Sequence, residues 1–324
     1  MKHIVLAYLF AMTTMGVVSS VQAATDEGMW HSLQKAAVAA RALNYQGIFV
    51  CQIGQQSKSV QITHLHNSNG EFARNVVLDG SPREVLSQGS DLVIYNPKNE
   101  KIVIEKRRGR NMFPAILPVD LSPIKENYLV RSGELERVAG RQAQVLFLES
   151  KDNLRYSYKF WVDTEYGLLL KSMLLNHKSQ IMESMAFSQL SLINAVDLDW
   201  FRPNVDNNKH YVMEREVVTI ANNRVSTHWT MKELPAGYHK VDQVVRMVHG
   251  KSFPVTQVVF SDGLASVSLF IEPMVSQSVT KTVRGVVGNA SFYANATDGY
   301  QLTVVGEVPE ATVAQIANAV VFKK

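Results

Sequence analysis

Cysteine is nearly absent from the sequence, with Cys51 as the single one among 324 residues. A lone thiol excludes an internal disulfide and any zinc site built from several cysteines. Cys51 lies in the apolar segment GIFVCQI, which predicts a small, buried side chain on a strand. It also lies too far along the chain to be the acylated N-terminal cysteine of a lipoprotein.

Long apolar runs are also scarce. The stretch Ile4–Val18 follows the basic residue Lys2 and is shorter than the roughly 20 residues that a membrane span needs. Val21 and Ala23 fit the small-residue positions of a signal-peptidase site, so residues 1–23 are predicted to be a cleaved signal peptide. The alternative is a retained N-terminal anchor. With this leader we expect a mature protein in a bacterial periplasm.

Recognisable catalytic motifs are missing as well. The sequence contains no GxSxG, HExxH or Walker GxxxxGK[ST] pattern and no calcium loop. His64 and His66 share one face of a strand, but no third ligand stands nearby, which favours a solvent-facing pair over a metal site. We therefore predict that the protein is not an enzyme and uses no cofactor, although catalytic groups that meet only in the fold escape such a search.

Positive charge is concentrated in one place, the run KRRGR at 106–110. The whole chain has a net charge of +4, which favours anionic partners without requiring nucleic acid. One interpretation of the run is a solvated loop after the strand 101–105. The other is a cationic lip in which Arg107, Arg108 and Arg110 bind phosphate or acidic side chains.

The composition, 46% hydrophobic and 19% charged, is typical of a folded chain of about two domains. An apolar stripe at helical spacing predicts a first helix over 26–43. Short strands with Gly, Asn and Pro punctuation then run to about residue 194, which indicates a large antiparallel sheet. The proline-rich stretch 113–128 is predicted to hold a short helix or a lid-like loop.

These changes of pattern predict the domain boundaries. A large domain spans 24–200, a polar, Asn-rich linker spans 201–216, and a small domain spans 217–324. The small domain is predicted to have strands near 226–231, 241–249, 255–260, 264–271, 280–287, 289–295 and 300–306. A helix beginning after Pro309 is expected to pack on them through Val313, Ile316, Ala317, Val320 and Val321.

The segment RYSYKFWVDTEYGLLLKSMLLN at 155–176 raises the main question about function. Alternation predicts a strand with Tyr156, Tyr158, Phe160 and Val162 on one face and Trp161 on the other, followed by a turn and a second strand. The aromatic face fits either an ordinary core or the lining of a cavity for an apolar ligand. Periodicity alone does not decide which face points inward.

Six segments taken in order resemble the RseB/MucB family. They are ALNYQGIF at 42–49, LDGSPREVLSQG at 78–89, RYSYKFWVDTEYGL at 155–168, LPAGY at 234–238, FSDGLASVSLFIE at 260–272 and TVVGEVPEATVAQIANAV at 303–320. Similar proteins often carry a proline just after the WVD turn, where this chain has three leucines at 168–170.

The resemblance implies an α+β protein: a large LolA/LolB-like unclosed antiparallel β half-barrel with helices, plus a smaller α/β sheet domain. It implies a regulatory protein that binds the periplasmic domain of an RseA/MucA-type inner-membrane anti-sigma factor. Binding would shield that factor from site-1 proteolysis and restrain the sigma-E envelope-stress response. Lipopolysaccharide or another acyl lipid would release it, and dimers are implied to form. A LolA-type lipoprotein or lipid carrier is the alternative, and an enzyme is a third, less supported one.

For the lipid, the candidate contacts are the aromatic face and the basic run. They are Tyr156, Tyr158, Phe160, Val162, Arg107, Arg108 and Arg110. A half-barrel turns one face of each strand inward, where it can line an apolar cavity. Contacts to the anti-sigma factor are expected in the small domain and in the cleft between the domains.

Overall fold

The computed structural model describes residues 26–89, 91–96, 98, 100–106, 111–194, 196–203, 210–215, 229–247, 252–274 and 282–323. The predicted signal peptide and the three arginines of the basic run lie outside these residues. The elements in chain order are α1 (Asp26–Ala42), β1 (Tyr45–Ile53), β2 (Gln56–Asn67), β3 (Gly70–Val77), β4 (Arg83–Gln88), β5 (Asp91–Asn96), β6 (Lys101–Lys106), α2 (Ser122–Asn127), β7 (Tyr128–Val138), β8 (Arg141–Ser150), β9 (Ser157–Asp163), β10 (Leu169–Leu175), β11 (Ile181–Leu192), a 3₁₀ helix (Leu198–Phe201), β12 (Val212–Arg215), β13 (Trp229–Met231), β14 (His239–Met247), β15 (Pro254–Ser261), β16 (Ser266–Pro273), β17 (Val283–Val287), β18 (Ala290–Thr297), β19 (Tyr300–Gly306), α3 (Glu310–Asn318) and β20 (Val320–Phe322).

Helix α1 forms where the apolar stripe predicts it. Leu33, Ala36, Ala37 and Ala40 are completely or almost completely buried, so one whole side of the helix faces the core. Acidic residues in the first turn and Arg41 in the last suit the helix dipole. The small alanine side chains let the helix lie close to the sheet that it covers.

The large sheet contains twelve strands in the order β12-β6-β5-β4-β3-β2-β1-β11-β10-β9-β8-β7. Every neighbouring pair is antiparallel except β12 and β6, which run parallel with Val212 opposite Lys101. The outer strands β12 and β7 do not pair with each other, so the sheet stays open rather than closing into a barrel.

The core of the large domain joins α1 to this sheet and to the proline-rich stretch. Phe113 packs between Phe49 of β1 and Phe187 of β11, with ring centroids 5.0 and 5.1 Å apart. Leu117 and Ile124 belong to the same buried cluster. The short helix predicted within 113–128 is α2, and Leu121 and Tyr128 of the same stretch also lie in the buried cluster.

The small domain is built on a second sheet, in the order β14-β15-β16-β19-β18-β17, with every pair antiparallel. Its strands fall at the predicted positions. Helix α3 covers one face, where Val313 and Ile316 pack with Leu269 and Val304 in a core separate from that of the large domain.

The end of α3 differs from the prediction. The helix stops at Asn318, and Val320 and Val321 belong to β20, which pairs with β13 through Val320 opposite Met231. These valines extend the apolar pattern of the helix, but β-branched residues suit a strand equally well. Periodicity over so few residues does not separate the two structures.

The 3₁₀ helix, which follows β11 in the chain, packs against β3. Arg74 of β3 donates to the Trp200 carbonyl at 2.8 Å, and its guanidinium lies over the Trp200 ring. Phe201 packs on Phe72. Within the segment predicted as a linker, residues 212–215 form β12 in the large sheet. None of the described helices has the length and apolar character needed to cross a membrane.

Candidate functional site

The inner face of β9 points into the large core. Phe160 is fully buried and Val162 nearly so, in the same cluster as Leu33 of α1. Tyr158 is partly buried, stacks beside Phe160 with ring centroids 5.4 Å apart, and lies near Tyr128. In this structure, Phe160 and Val162 are therefore packed core residues. Their predicted contact with lipid stays a prediction.

Tyr156 lies apart from these residues, because β9 begins one residue later. Its ring contacts His177, and the charge of Glu310 on α3 is close enough to influence the hydroxyl. Burial raises the pKa of Tyr156 above its ordinary value. The residue therefore stands where the large domain meets the small one.

The outer face of β9 carries a ladder of cations and aromatic rings. The Lys159 and Lys171 ammonium groups lie 4.5 and 4.3 Å from the centroid of the Trp161 ring. The Trp161 indole donates to Glu136 at 2.6 Å, and this bond, with Lys159 and Lys171 nearby, lowers the pKa of Glu136. Burial lowers the pKa of Lys171. Trp161 is only 1% exposed, so both faces of this strand are covered.

A groove of about 650 Å³ lies beside this ladder. Its walls include Arg131, Lys159, Phe147, Met173 and Ile181, so charged and apolar groups alternate along it. Arg131 stacks on the Phe147 ring at 4.1 Å and pairs with a carboxylate of β8. The groove has the chemistry to hold an extended chain or an amphipathic molecule. Tyr158, one of the predicted lipid contacts, is among its lining residues, whereas Tyr156, Phe160 and Val162 are not.

The described residues hold no group of His, Cys, Asp and Glu side chains able to bind a metal. The prediction that His64 faces solvent is wrong. Its ring is buried and stacked on Tyr45 at 4.8 Å, while Nδ1 lies 2.7 Å from the Leu43 carbonyl. His66 is exposed, as predicted. His64 thus ties the end of α1 to the sheet.

The two domains meet at a buried ion pair. The Arg155 guanidinium donates to Asp262 Oδ2 at 3.0 Å, and neither side chain is exposed to solvent. Arg155 also donates to Asp152 at 3.0 Å and to the Ala236 carbonyl. Burial opposes the positive charge of Arg155, but the hydrogen bond to Asp152 and the charge of Asp262 raise its pKa overall. The Arg155 guanidinium therefore has three acceptors at the junction, and two of them, Asp262 and the Ala236 carbonyl, belong to the small domain.

Two tyrosines complete this junction. Tyr128 donates to Asp262 at 3.3 Å, and Tyr238 donates to the Leu154 carbonyl at 3.2 Å. Burial, reinforced by the charge of Asp262, raises the pKa of both hydroxyls well above their ordinary value, so both remain donors. Thr312 of α3 donates to the same carbonyl at 2.6 Å.

At Gly237, the backbone of the small domain closely approaches the large domain. Gly237 has a φ of +79°, and an added Cβ would lie 2.4 Å from the Asn127 side chain of α2. Glycine therefore meets two demands at this position, a left-handed backbone and close approach of the large domain. A second contact lies further along the boundary, where Asn289 donates to Glu183 of β11 at 2.5 Å.

No local sequence pattern groups Arg155, Asp262, Tyr128 and Tyr238 together. Three of them stand in segments that carry the family resemblance: Arg155 opens RYSYKFW, Tyr238 ends LPAGY, and Asp262 lies in FSDGL. The one available sequence signal was Arg155, a charged residue at the start of an aromatic strand. Its partner lies 107 positions away, beyond the reach of any local pattern.

An open sheet and a smaller sheet joined through a buried ionic junction define a two-domain protein. The model of the MucB/RseB N-terminal domain matches residues 29–205, and that of the MucB/RseB C-terminal domain matches residues 223–321. The chain belongs to the MucB/RseB family.

Named relatives are similar in sequence over all or nearly all of this chain. The sigma-E factor regulatory protein RseB of Haemophilus influenzae is 24% identical over 100% of both chains. The sigma factor AlgU regulatory protein MucB of Pseudomonas aeruginosa is 30% identical over 96% of both. These relatives are regulatory proteins, which confirms the prediction that the chain is not an enzyme.

The solved structure of MucB in complex with MucA(peri) is similar in fold. It is 27% identical to this chain, with a TM-score of 0.73, and the match covers 91% of this chain and 99% of the MucB chain. The predicted fold class, a large unclosed antiparallel sheet with helices plus a smaller sheet domain, is confirmed.

Proposed function

We propose that the protein binds the periplasmic part of an RseA/MucA-type anti-sigma factor and thereby restrains a sigma-E-type stress response. One observation carries this proposal: both domains match a MucB chain whose structure contains MucA(peri), with a TM-score of 0.73 over 91% of this chain. The proposal places the mature protein in the periplasm, where that part of the anti-sigma factor lies.

The bound protein is proposed to shield the anti-sigma factor from its first protease, and an acyl lipid such as lipopolysaccharide to release it. Release requires that lipid bind the free state more tightly than the complex. Tyr156, Tyr158, Phe160 and Val162 are the proposed lipid contacts. Since Phe160 and Val162 are packed with α1 here, their contact with lipid requires α1 or the stretch after residue 111 to move aside.

Binding is tested with the purified mature chain and the periplasmic domain of its cognate anti-sigma factor. We expect a complex at micromolar concentrations, where a Kd of 1 µM corresponds to about −8 kcal/mol. Cleavage by the site-1 protease is expected to slow about tenfold when the protein is present at ten times its Kd, since only free anti-sigma factor is cut. Absence of a complex at these concentrations would contradict the proposal.

The lipid step is tested by changing Arg107, Arg108 and Arg110 to alanine. If each arginine contributes roughly 0.5 kcal/mol to phosphate binding, the triple variant should bind lipopolysaccharide about tenfold more weakly. Its remaining binding should depend less on salt, because fewer charges are screened. Titration at two salt concentrations measures both effects.

The matched control removes the same net charge elsewhere. Arg83, Lys232 and Lys323 are exposed residues far apart along the chain. Changing all three to alanine is expected to leave lipid binding within about twofold, because surface charges away from a site contribute little. Equal losses in both variants would mean that general charge attracts the lipid and that the basic run is an ordinary solvated loop.

A further inference from the structure

The large sheet and the second sheet together have four edge strands, β12, β7, β14 and β17, which differ in how well they are protected against pairing with another strand. An outer strand presents unpaired backbone N–H and C=O groups, and proteins usually block it with charges, bulges or short length. Strand β7 carries four charged residues and a register shift after Ser132. Strand β14 carries charges and a shift after Lys240, and β12 has four residues.

Strand β17, VRGVV, has little of this protection. It pairs with β18 in unbroken register, contains no proline, and has Arg284 as its single charge. Val283, Val286 and Val287 are 53%, 46% and 72% exposed. An open, apolar strand edge is a ready template for another strand.

The sheet face beside β17 extends the apolar surface. Val283 and Val287 lie on the face opposite α3, since alternate residues of neighbouring strands share a face and Val304 packs with α3. Phe292 of β18 lies opposite Val305 on this face, and Val305 is 36% exposed. A strand added to β17 therefore finds both backbone partners and an apolar strip for alternate side chains.

One end of β17 also reaches the domain boundary. The turn that follows it contains Gly288, whose added Cβ would lie 3.6 Å from Ile53 at the end of β1. The next residue, Asn289, donates to Glu183 of β11. A segment that pairs with β17 would thus continue directly onto the large domain.

We infer that β17 binds an extended segment of the anti-sigma factor by β-strand addition, with an acidic side chain of that segment beside Arg284. This inference rests on the proposed function and names the surface that carries it out. No carboxylate of the described residues pairs with Arg284, so the charge is available for a partner.

A second copy of this chain fits the edge less well. Antiparallel self-pairing centred on Gly285 would place the two Arg284 side chains on one face as diagonal neighbours, where like charges repel. It would also join only five residues from each copy, against about 20–30 residues a side in a standard interface. An extended segment of another protein avoids both the repulsion between two arginines and the five-residue contact, because it can carry a different charge and continue along the surface beyond β17.

The test compares anti-sigma binding by the full mature chain and by the double variant Val283→Lys, Val287→Lys. Both positions are exposed, so the fold should be retained, while two lysines at the edge discourage strand addition. We expect binding to weaken at least about tenfold. In the wild-type complex, the amides of residues 283–287 should gain protection from hydrogen exchange.

The matched control is Val241→Lys on β14, an exposed valine at the opposite edge of the same sheet, which should bind normally. Arg284→Glu should weaken binding and reduce its salt dependence.

If wild type binds but the double variant binds equally well, the inference is wrong while the proposed function stands. If wild type does not bind, the proposed function itself fails. A change in oligomeric state without a change in binding would assign the edge to a second copy instead.

Discussion

Replacing Asp262 with alanine is expected to lower the free energy of unfolding by about 3–5 kcal/mol, because it leaves Arg155 charged and buried without its partner. Arg155 is completely buried and keeps only Asp152 as a counter-ion and one carbonyl as an acceptor. Tyr128 loses its acceptor at the same time. Urea denaturation of wild type and variant measures the loss.

The same substitution is expected to uncouple the domains. Since Asp262 belongs to the small domain and Arg155 to the large one, their bond makes unfolding of one domain depend on the other. Calorimetry should show one transition for wild type and two for Asp262→Ala. Binding of the anti-sigma factor should also weaken, if it needs both domains in a fixed orientation.

Two controls separate the buried pair from ion pairs in general. Glu149→Ala breaks the exposed pair with Arg131 and is expected to cost less than about 1 kcal/mol. The double variant Arg155→Met, Asp262→Leu removes both buried charges and should recover much of the lost stability, because unpaired charge is the main penalty. A loss below 1 kcal/mol for Asp262→Ala would show that the junction is solvated and that its ion pair contributes little.

Structural features that depend on residues close together in the sequence could be predicted, whereas those that depend on residues far apart could not. Local periodicity placed α1, the seven strands of the small domain and the hairpin at 155–176. The turn of that hairpin is explained by Asp163, whose carboxylate accepts from the Glu165 and Tyr166 amides at 2.8 Å, and by Gly167 with a φ of +80°. Such signals lie within a few residues of each other.

Signals from contacts distant in the chain were not available. His64 was predicted to face solvent because no third metal ligand stands near it in the sequence. In the structure it is buried, stacked on Tyr45 and close to the Leu43 carbonyl after α1. Arg155 and Asp262 meet only when both domains are folded. The openness of β17 depends on the strand order, which among the described residues places β18 on one side of it and no strand on the other. Sequence alone does not reveal which strand is outermost.

The alternation in RYSYKFW left open whether its aromatic residues form a core or line a cavity. In the structure, Phe160 is completely buried beside Leu33 of α1, and Trp161 is buried on the outer face between two lysines and Glu136. Both faces are covered, because Phe160 shares a buried cluster with residues of α1, while Lys159, Lys171 and Glu136 of β7 lie against Trp161. A fully buried position on both faces favours the core interpretation for the state described here.

Phe160→Ala decides between the two interpretations. Removing a fully buried ring leaves a cavity and is expected to lower the free energy of unfolding by about 3–5 kcal/mol. Leu78→Ala is the control, because Leu78 is 47% exposed, does not line the groove and should change stability by about 0.5 kcal/mol or less. Urea denaturation compares the two variants with wild type.

Lipid binding by the same variants supplies the second half of the test, at a temperature where all of them are folded. If lipid displaces α1 and contacts Phe160, loss of the ring's apolar area should weaken lipopolysaccharide binding about tenfold, while Leu78→Ala binds like wild type. Equal binding by Phe160→Ala and wild type would make Phe160 a core residue alone. The lipid would then have to bind elsewhere, and the groove beside Lys159 and Arg131 offers both the cations and the apolar walls that such a ligand needs.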